Sequence, residues 1–188
     1  MSAPGITLQL LGGQQAAEHA GELQELHAEV YAEPPYRRDD DAGQFAGRFA
    51  VQRRQPGFVL AEARHGGYLV GYASGMPLRP STAWWRGLTA PLPAEITAEH
   101  PGRTFALADL LVRASWRRQG IARALHDLLL AGRAEERATL TVLPEAAPAQ
   151  HAFRAWGWRK VARTLDPRPG SPVCDVLLTP LPVGQTTI

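Results

Sequence analysis

Arg117-Arg118-Gln119-Gly120-Ile121-Ala122 joins an apolar run, 105–112, to a segment carrying Ile121, Leu125, Leu128 and Leu129 at helical spacing. The order is strand, tight turn, helix. Gly120 at the turn lets the backbone come close to a ligand, and the first turn of a helix leaves N–H groups without internal partners. Those groups, with the positive end of the helix dipole, suit a phosphate or pyrophosphate. Arg117, Arg118 and Arg123 add cations that can meet phosphate oxygens. The stretch therefore predicts a phosphorylated cofactor held by Arg117, Arg118, Gln119, Gly120, Ile121, Ala122 and Arg123.

Before this stretch, Ile6, Leu8 and Leu10 alternate with small or polar residues and predict a strand that Gly12-Gly13 ends. Leu23, Leu26 and Val30 predict a helix over 16–30, which Pro34-Pro35 stops. Asp39-Asp40-Asp41 offers capping and first-turn acids to a second helix through Phe45, Phe49 and Val51. Gln55-Pro56-Gly57 reads as a turn. Strands at 58–63 and 68–76 follow, joined by the hairpin signal His65-Gly66-Gly67. The segment 79–103 holds four prolines and the pair Trp84-Trp85, with no clear period. It predicts a long insertion with a short helix around 94–99, a length at which loops are commonly functional.

After the turn come a helix over 120–132, a strand over 138–143 and a helix over 148–155. Strands at 158–163 and 173–178 would close the sheet as an antiparallel pair across Pro167-Arg168-Pro169-Gly170. Strand-helix-strand over 105–143 is a parallel unit expected to cross right-handed. One domain is expected over 1–182, with 183–188 a loose tail.

The 188 residues, 45% hydrophobic and 20% charged, fit a globular protein with one substantial core. Net charge is only +2, and nineteen of the twenty basic residues are arginine, Lys160 being the lone lysine. That bias reads as coding composition rather than a nucleic-acid footprint. Cys174 is the only cysteine, which excludes an internal disulfide and a cysteine zinc cluster. No apolar run reaches the roughly 18 residues that cross a bilayer, and 1–5 carries no secretory pattern, so a cytoplasmic protein is expected. The six histidines show no spacing that suggests a metal. Ser74 misses the nucleophile-elbow pattern by one position, and neither a P-loop nor a dinucleotide glycine motif occurs.

The stretch resembles the signature of the GNAT superfamily of N-acetyltransferases, Arg or Gln followed by x-x-Gly-x-Gly/Ala, with Arg117, Gly120 and Ala122 at the matching positions. Leu110-Leu111-Val112 precedes it where that family places the strand beside the pantetheine arm. The segment 149–158, ending in Gly157-Trp158, looks like the family's later helix with its Gly-aromatic exit. The resemblance implies a mixed α/β fold: a mostly antiparallel sheet of six to seven strands, one splayed parallel pair, and helices on both faces. It implies acetyl-CoA as cofactor, with the backbone of Leu110, Leu111 and Val112 along the pantetheine. The reaction implied is direct attack of a primary amine of a small molecule or peptide, in a ternary complex.

The family's usual proton-donating tyrosine falls on Phe153, which has no proton to give, and a common asparagine near the helix start falls on Ala146. Asp109, an acid inside an apolar strand, is the candidate base, because a carboxylate desolvated among leucines is a stronger proton acceptor. Glu33 and Glu62 are its rivals. Glu33 and Tyr36 lie in Tyr31-Ala32-Glu33-Pro34-Pro35-Tyr36, where relatives line the acceptor pocket. Trp84 and Trp85 either cover that pocket or anchor the insertion. Two other readings stay open: a non-catalytic acyl-CoA-binding module, and a transferase using a longer acyl-CoA or acylating a hydroxyl. The resemblance also leaves room for a homodimer.

Overall fold

The computed structural model describes residues 5–36, 41–165 and 171–182, with only the backbone of 41–43. In chain order the elements are β1 (Ile6–Gly12), α1 (Gly13–Glu18), α2 (Ala20–Tyr31), α3 (Asp41–Gln52), β2 (Val59–His65), β3 (Tyr68–Pro77) and α4 (Ala94–Thr97). Then follow β4 (Thr104–Val112), α5 (Ile121–Leu130), β5 (Arg137–Val142), α6 (Ala147–Ala155), β6 (Arg159–Leu165) and β7 (Val173–Pro180). The strands form one seven-stranded mixed sheet in the order β1-β2-β3-β4-β5-β7-β6. Antiparallel pairing runs through β1-β2, β2-β3, β5-β7 and β7-β6, and β4 and β5 are parallel. That parallel register joins Thr104, Phe105 and Ala106 to Arg137, Ala138 and Thr139, and stops there. No helix among the described residues is long and apolar enough to cross a membrane.

The chain condenses into two compact units, Met1–Met76 with Leu107–Ala131, and Pro77–Ala106 with Gly132–Ile188. In the first, β2 and β3 turn through Gly66 and Gly67, both at positive φ, as the right-handed twist of a two-residue hairpin requires. Helix α2 buries Leu23, Leu26, His27 and Val30, one stripe at three- and four-residue spacing, and Phe45 and Phe49 from α3 join the same core. Helix α5 buries Ile121, Leu125 and Leu129. A Cβ at Gly71 would lie 2.8 Å from the Leu111 carbonyl oxygen and 3.2 Å from a Leu125 methyl, so only glycine lets β3 pass there.

The expected helix over 16–30 is two helices. It begins earlier, at Gly13, and breaks at His19 (φ −98°, ψ 5°), whose ring is held by Glu62 across 2.7 Å. On β1 the alternating set is only partly covered: Leu8 is 36% and Leu10 46% exposed, and Leu11 is the residue buried. An edge strand needs no full apolar face.

In the second unit the segment 79–103 is more ordered than an open loop. Leu88 bridges Thr164 of β6, Thr89 N–H donates to the Arg163 carbonyl (3.0 Å), and Leu165 N–H donates to the Gly87 carbonyl (2.8 Å). The short helix expected around 94–99 is the four-residue α4. Of the other expectations, Asp39 and Asp40, the turn 167–170 and the tail 183–188 lie outside the described residues.

Candidate active site

Within the first unit, β4 ends at Val112 and enters a single 3-10 turn, Ala114–Trp116, which the sequence did not announce. Arg113 seals the strand end: its backbone N–H donates to the Val70 carbonyl (2.9 Å), its Nε donates to the Leu69 carbonyl (2.8 Å), and its guanidinium pairs with Glu29. Arg117 is extended, Arg118 is left-handed at φ 62°, and Gly120 is left-handed at φ 80° as the N-cap of α5. Arg118 is the only described non-glycine residue at positive φ, a conformation that costs about 1–2 kcal/mol. Two left-handed residues within three positions turn the backbone from β4 into α5. The first recorded bond of α5 is Ala124 N–H to the Gly120 carbonyl. Among the described residues the backbone amides of Arg118, Gln119, Gly120, Ile121 and Ala122 have no partner. No side chain caps the helix, and no acid stands in its first turn.

The three arginines divide. Arg117 Nε donates to the Val112 carbonyl (3.0 Å), and its fork grips Glu33 at 2.7 and 3.3 Å. Arg123 pairs with Asp127 at 2.7 Å, one turn along the exposed face of α5. Arg118 is exposed and has no side-chain partner among the described residues. Gln119 folds back, Nε2 donating to the Ser115 carbonyl (3.2 Å). Ile121 is buried against the core at the start of α5, and Ala122 is half-buried. Leu111 and Val112 are buried and Leu110 half-buried on the strand that leads in.

Asp109 is 4% exposed. Ser74 Oγ donates to one of its oxygens (3.2 Å), and Arg48 Nη2 donates to the other (3.2 Å) and to His27 Nε2 (3.1 Å). Tyr72 is fully buried, and its hydroxyl has no hydrogen-bond partner among the described residues. Burial first, then the Asp109 charge, push that phenol well up, so it keeps its proton. Tyr31 stacks on His27 (4.1 Å between centroids), and Tyr36 lies 5.5 Å from Tyr31. Burial also pushes the Tyr36 phenol up, against the pull of Arg117.

Glu62 serves elsewhere. It is fully buried and accepts from Arg64 Nε (2.9 Å) and Gln9 Nε2 (2.9 Å), with His19 Nδ1 at 2.7 Å. Burial opposes its charge, yet these bonds hold the carboxyl below the usual range.

Arg48, His27, Ser74 and Tyr72 were not singled out from the sequence as site residues. One signal was present: Arg48 sits between Phe45 and Phe49 on the apolar stripe of α3, so it faces inward. Another was Asp109 itself, since a buried carboxylate demands partners.

Trp84 and Trp85 belong to the second unit. Trp85 Nε1 donates to Glu99 Oε1 (3.0 Å), which also accepts from Thr104 Oγ1 (2.9 Å) and Arg137 Nη2 (3.0 Å). Trp85 thus anchors the insertion, and it also lines a cavity of about 580 Å³ with Pro80, Leu88 and Pro91. The Trp84 backbone N–H donates to Thr82 Oγ1 (3.2 Å). Phe153 is buried edge-on against Trp156 and Trp158, and Gly157 (φ 93°) ends α6 with Trp158 N–H donating to the Phe153 carbonyl. Among the described residues no group of three or more His, Cys, Asp and Glu could hold a metal ion.

The family model for the acetyltransferase (GNAT) family matches residues 20–158. No curated protein matches the chain. Among solved structures, an acetyltransferase from Thermus thermophilus is similar at TM-score 0.59 and 16% identity, covering 96% of this chain and 100% of that one. A GNAT-family acetyltransferase from Staphylococcus aureus is similar at TM-score 0.64 and 13% identity, covering 93% and 99%. The PaiA N-acetyltransferase from Thermoplasma acidophilum, solved in complex with coenzyme A, is similar at TM-score 0.60 and 9% identity, covering 93% and 98%. At such identities the neighbours speak for the fold, whereas the family match spans well over half of the chain. With a strand, a glycine turn and an uncapped helix mouth in this order, the chain belongs to the acetyltransferase (GNAT) family and is an acyltransferase.

Proposed function

We propose that the chain moves an acetyl group from acetyl-CoA to a primary amine of a small molecule or peptide, by direct attack while both are bound. The observation that carries this is the turn from Arg118 to Ala122, five amides without partners among the described residues at a helix start that has neither cap nor acid. A diphosphate fits such a cradle, because each amide points a partial positive charge outward and Arg118 adds a full one. Coenzyme A in the Thermoplasma neighbour supports the same ligand here. Leu110, Leu111 and Val112, beyond the point where register with β5 ends, are the residues to pair with the pantetheine amides.

Acetyl-CoA supplies an acyl group already activated as a thioester. The chain's own work is to bind, orient and move protons. Asp109 is the proton acceptor that turns the acceptor's ammonium into a nucleophilic amine. In the first unit Glu33 and Tyr36 are the candidates to contact the acceptor; in the second the candidates are Trp84 and Trp85. Phe153 gives no proton, so the departing sulfur takes one from water or from another residue, or leaves as the thiolate.

Titration calorimetry with coenzyme A and acetyl-CoA tests the cradle. The wild type is expected to bind both, and Gly120→Glu, which sets bulk and negative charge at the helix start, is expected to lose both while melting as a folded protein. Thiol release across a panel of amines then tests transfer. No heat with either coenzyme A or its thioester, or equal affinity in Gly120→Glu, would end the proposal.

A further inference from the structure

The second unit holds a cavity of about 460 Å³ whose wall comes from α6, β6 and β7. Helix α6 contributes Ala147, Gln150 and Arg154, whose three- and four-residue spacings set them on one face. Strand β6 contributes Lys160 and Arg163, and β7 contributes Asp175 and Leu177. On a regular strand Lys160 and Arg163, three positions apart, would point to opposite sides of the sheet. A bulge prevents this. Lys160 pairs with Leu177 and Ala162 with Val176, so β6 carries one extra residue, Val161, between them. Lys160 then lies opposite Leu177 and Arg163 opposite Asp175, two residues of β7 that share a face. Bulges re-aim side chains in this way, and they gather beside functional sites.

The charges of the wall do not cancel. Asp175 is buried and accepts on one oxygen from Lys160 Nζ (2.6 Å) and Arg163 Nε (3.3 Å), and on the other from Gln150 Nε2 (3.0 Å). Burial opposes its charge, yet these bonds hold the carboxyl below the ordinary range, so it is an anion at neutral pH. It is the one acid in the wall. Lys160 and Arg163 are exposed, and both share that single carboxylate. Arg154, exposed in the last turn of α6, has no side-chain partner among the described residues. His151, three positions before it, lines the cavity as well. Three cations against one carboxylate leave two positive charges in excess.

An excess of two suits a dianion, and guanidinium and ammonium groups are those that meet phosphate oxygens. Pro144, Ala147 and Leu177 supply an apolar stretch of the same wall, and the volume is that of a small-ligand site. We propose that this cavity is a second ligand site, which takes a small molecule bearing a phosphate monoester on an apolar body, with Arg154, Lys160 and Arg163 on the phosphate. Every residue of it lies in the second unit, so it does not depend on the amides of 118–122 that carry the cofactor reading.

Phenyl phosphate and its neutral relative benzyl alcohol serve as probes, followed by NMR on the full chain at low salt. Saturable shifts in α6, β6 and β7 are expected with phenyl phosphate, weakening as salt is added. Arg154→Gln is expected to bind it at least about threefold more weakly, and Arg154→Lys to keep most of the affinity. A thermal melt of each variant shows that it is folded. Benzyl alcohol is expected to bind far more weakly and equally in all three proteins. The absence of saturable shifts, equal phenyl phosphate affinity in wild type and Arg154→Gln, or benzyl alcohol bound as tightly as the phosphate would each overturn the site. Coenzyme A carries a phosphate monoester of its own, so the titration is repeated with coenzyme A and with dephospho-coenzyme A in excess. Phenyl phosphate affinity is expected to be the same in both. Displacement by coenzyme A but not by its dephospho form would assign the site to the cofactor and overturn the second ligand.

Discussion

Arg118 and Asp109 show what a single side chain decides. Arg118 holds φ 62° at the turn, where glycine would be relaxed. Arg118→Gly is expected to raise stability by about 1 kcal/mol and weaken coenzyme A binding about threefold by removing the one unengaged cation there. A melt and a titration on the same preparation check both, and a variant that loses stability would contradict the strain. Asp109→Asn is expected to lower kcat/KM about 10²–10⁴-fold at neutral pH, with the deficit shrinking in alkali, where more of the amine is already deprotonated. An unchanged pH–rate profile would remove Asp109 from the role. The turn was legible because its chemistry is local: six consecutive residues carry the glycine, the charges and the helix start. The partners of Asp109 were not, because Arg48 lies 61 positions away and meets it only once α3 lies on the sheet.

Helix α5 carries a group that ties the cradle's support to pH. His126 is fully buried, with Nδ1 2.8 Å from Asp127. Burial lowers its pKa below the ordinary 6.5, and although Asp127 pulls the other way, the net shift is downward. The unfolded chain then binds a proton that the folded one refuses, so stability is complete above about pH 6.5 and declines as pH falls toward the folded value. The slope is at most about 1.4 kcal/mol per pH unit. Thermal melts between about pH 7.5 and 5.5 are expected to show this decline, and His126→Asn to flatten it; an equal slope in the variant would exclude His126. Sequence periodicity found α5 and the hairpin because each repeats one pattern along one element. It joined α1 to α2 because the break at His19 comes from a bond to Glu62, 43 positions along the chain.

Taken together, the strand count, the parallel pair and the glycine-aromatic exit of α6 could be read from the chain, because turn residues and apolar spacing punctuate it. The insertion could not: its order comes from the bridge to β6 and from Glu99, which gathers Trp85, Thr104 and Arg137 on one oxygen. None of those contacts has a period. Glu99→Ala strips three donors of their acceptor and is expected to cost about 1–3 kcal/mol and to open 79–103 to limited proteolysis. Cleavage no faster than in wild type would contradict the anchoring.

The bridge from Leu88 to Thr164 has a colloidal consequence. A sheet can recruit foreign chains through either lateral border, and here β6, last in the strand order, has the end of its outer rim, 163–165, occupied by 87–89. At the other border stands β1, with Leu8 and Leu10 partly facing water. Fibrillar growth or intermolecular strand exchange in concentrated solution is therefore expected to favour the amino-terminal strand, and a lysine placed there to suppress it.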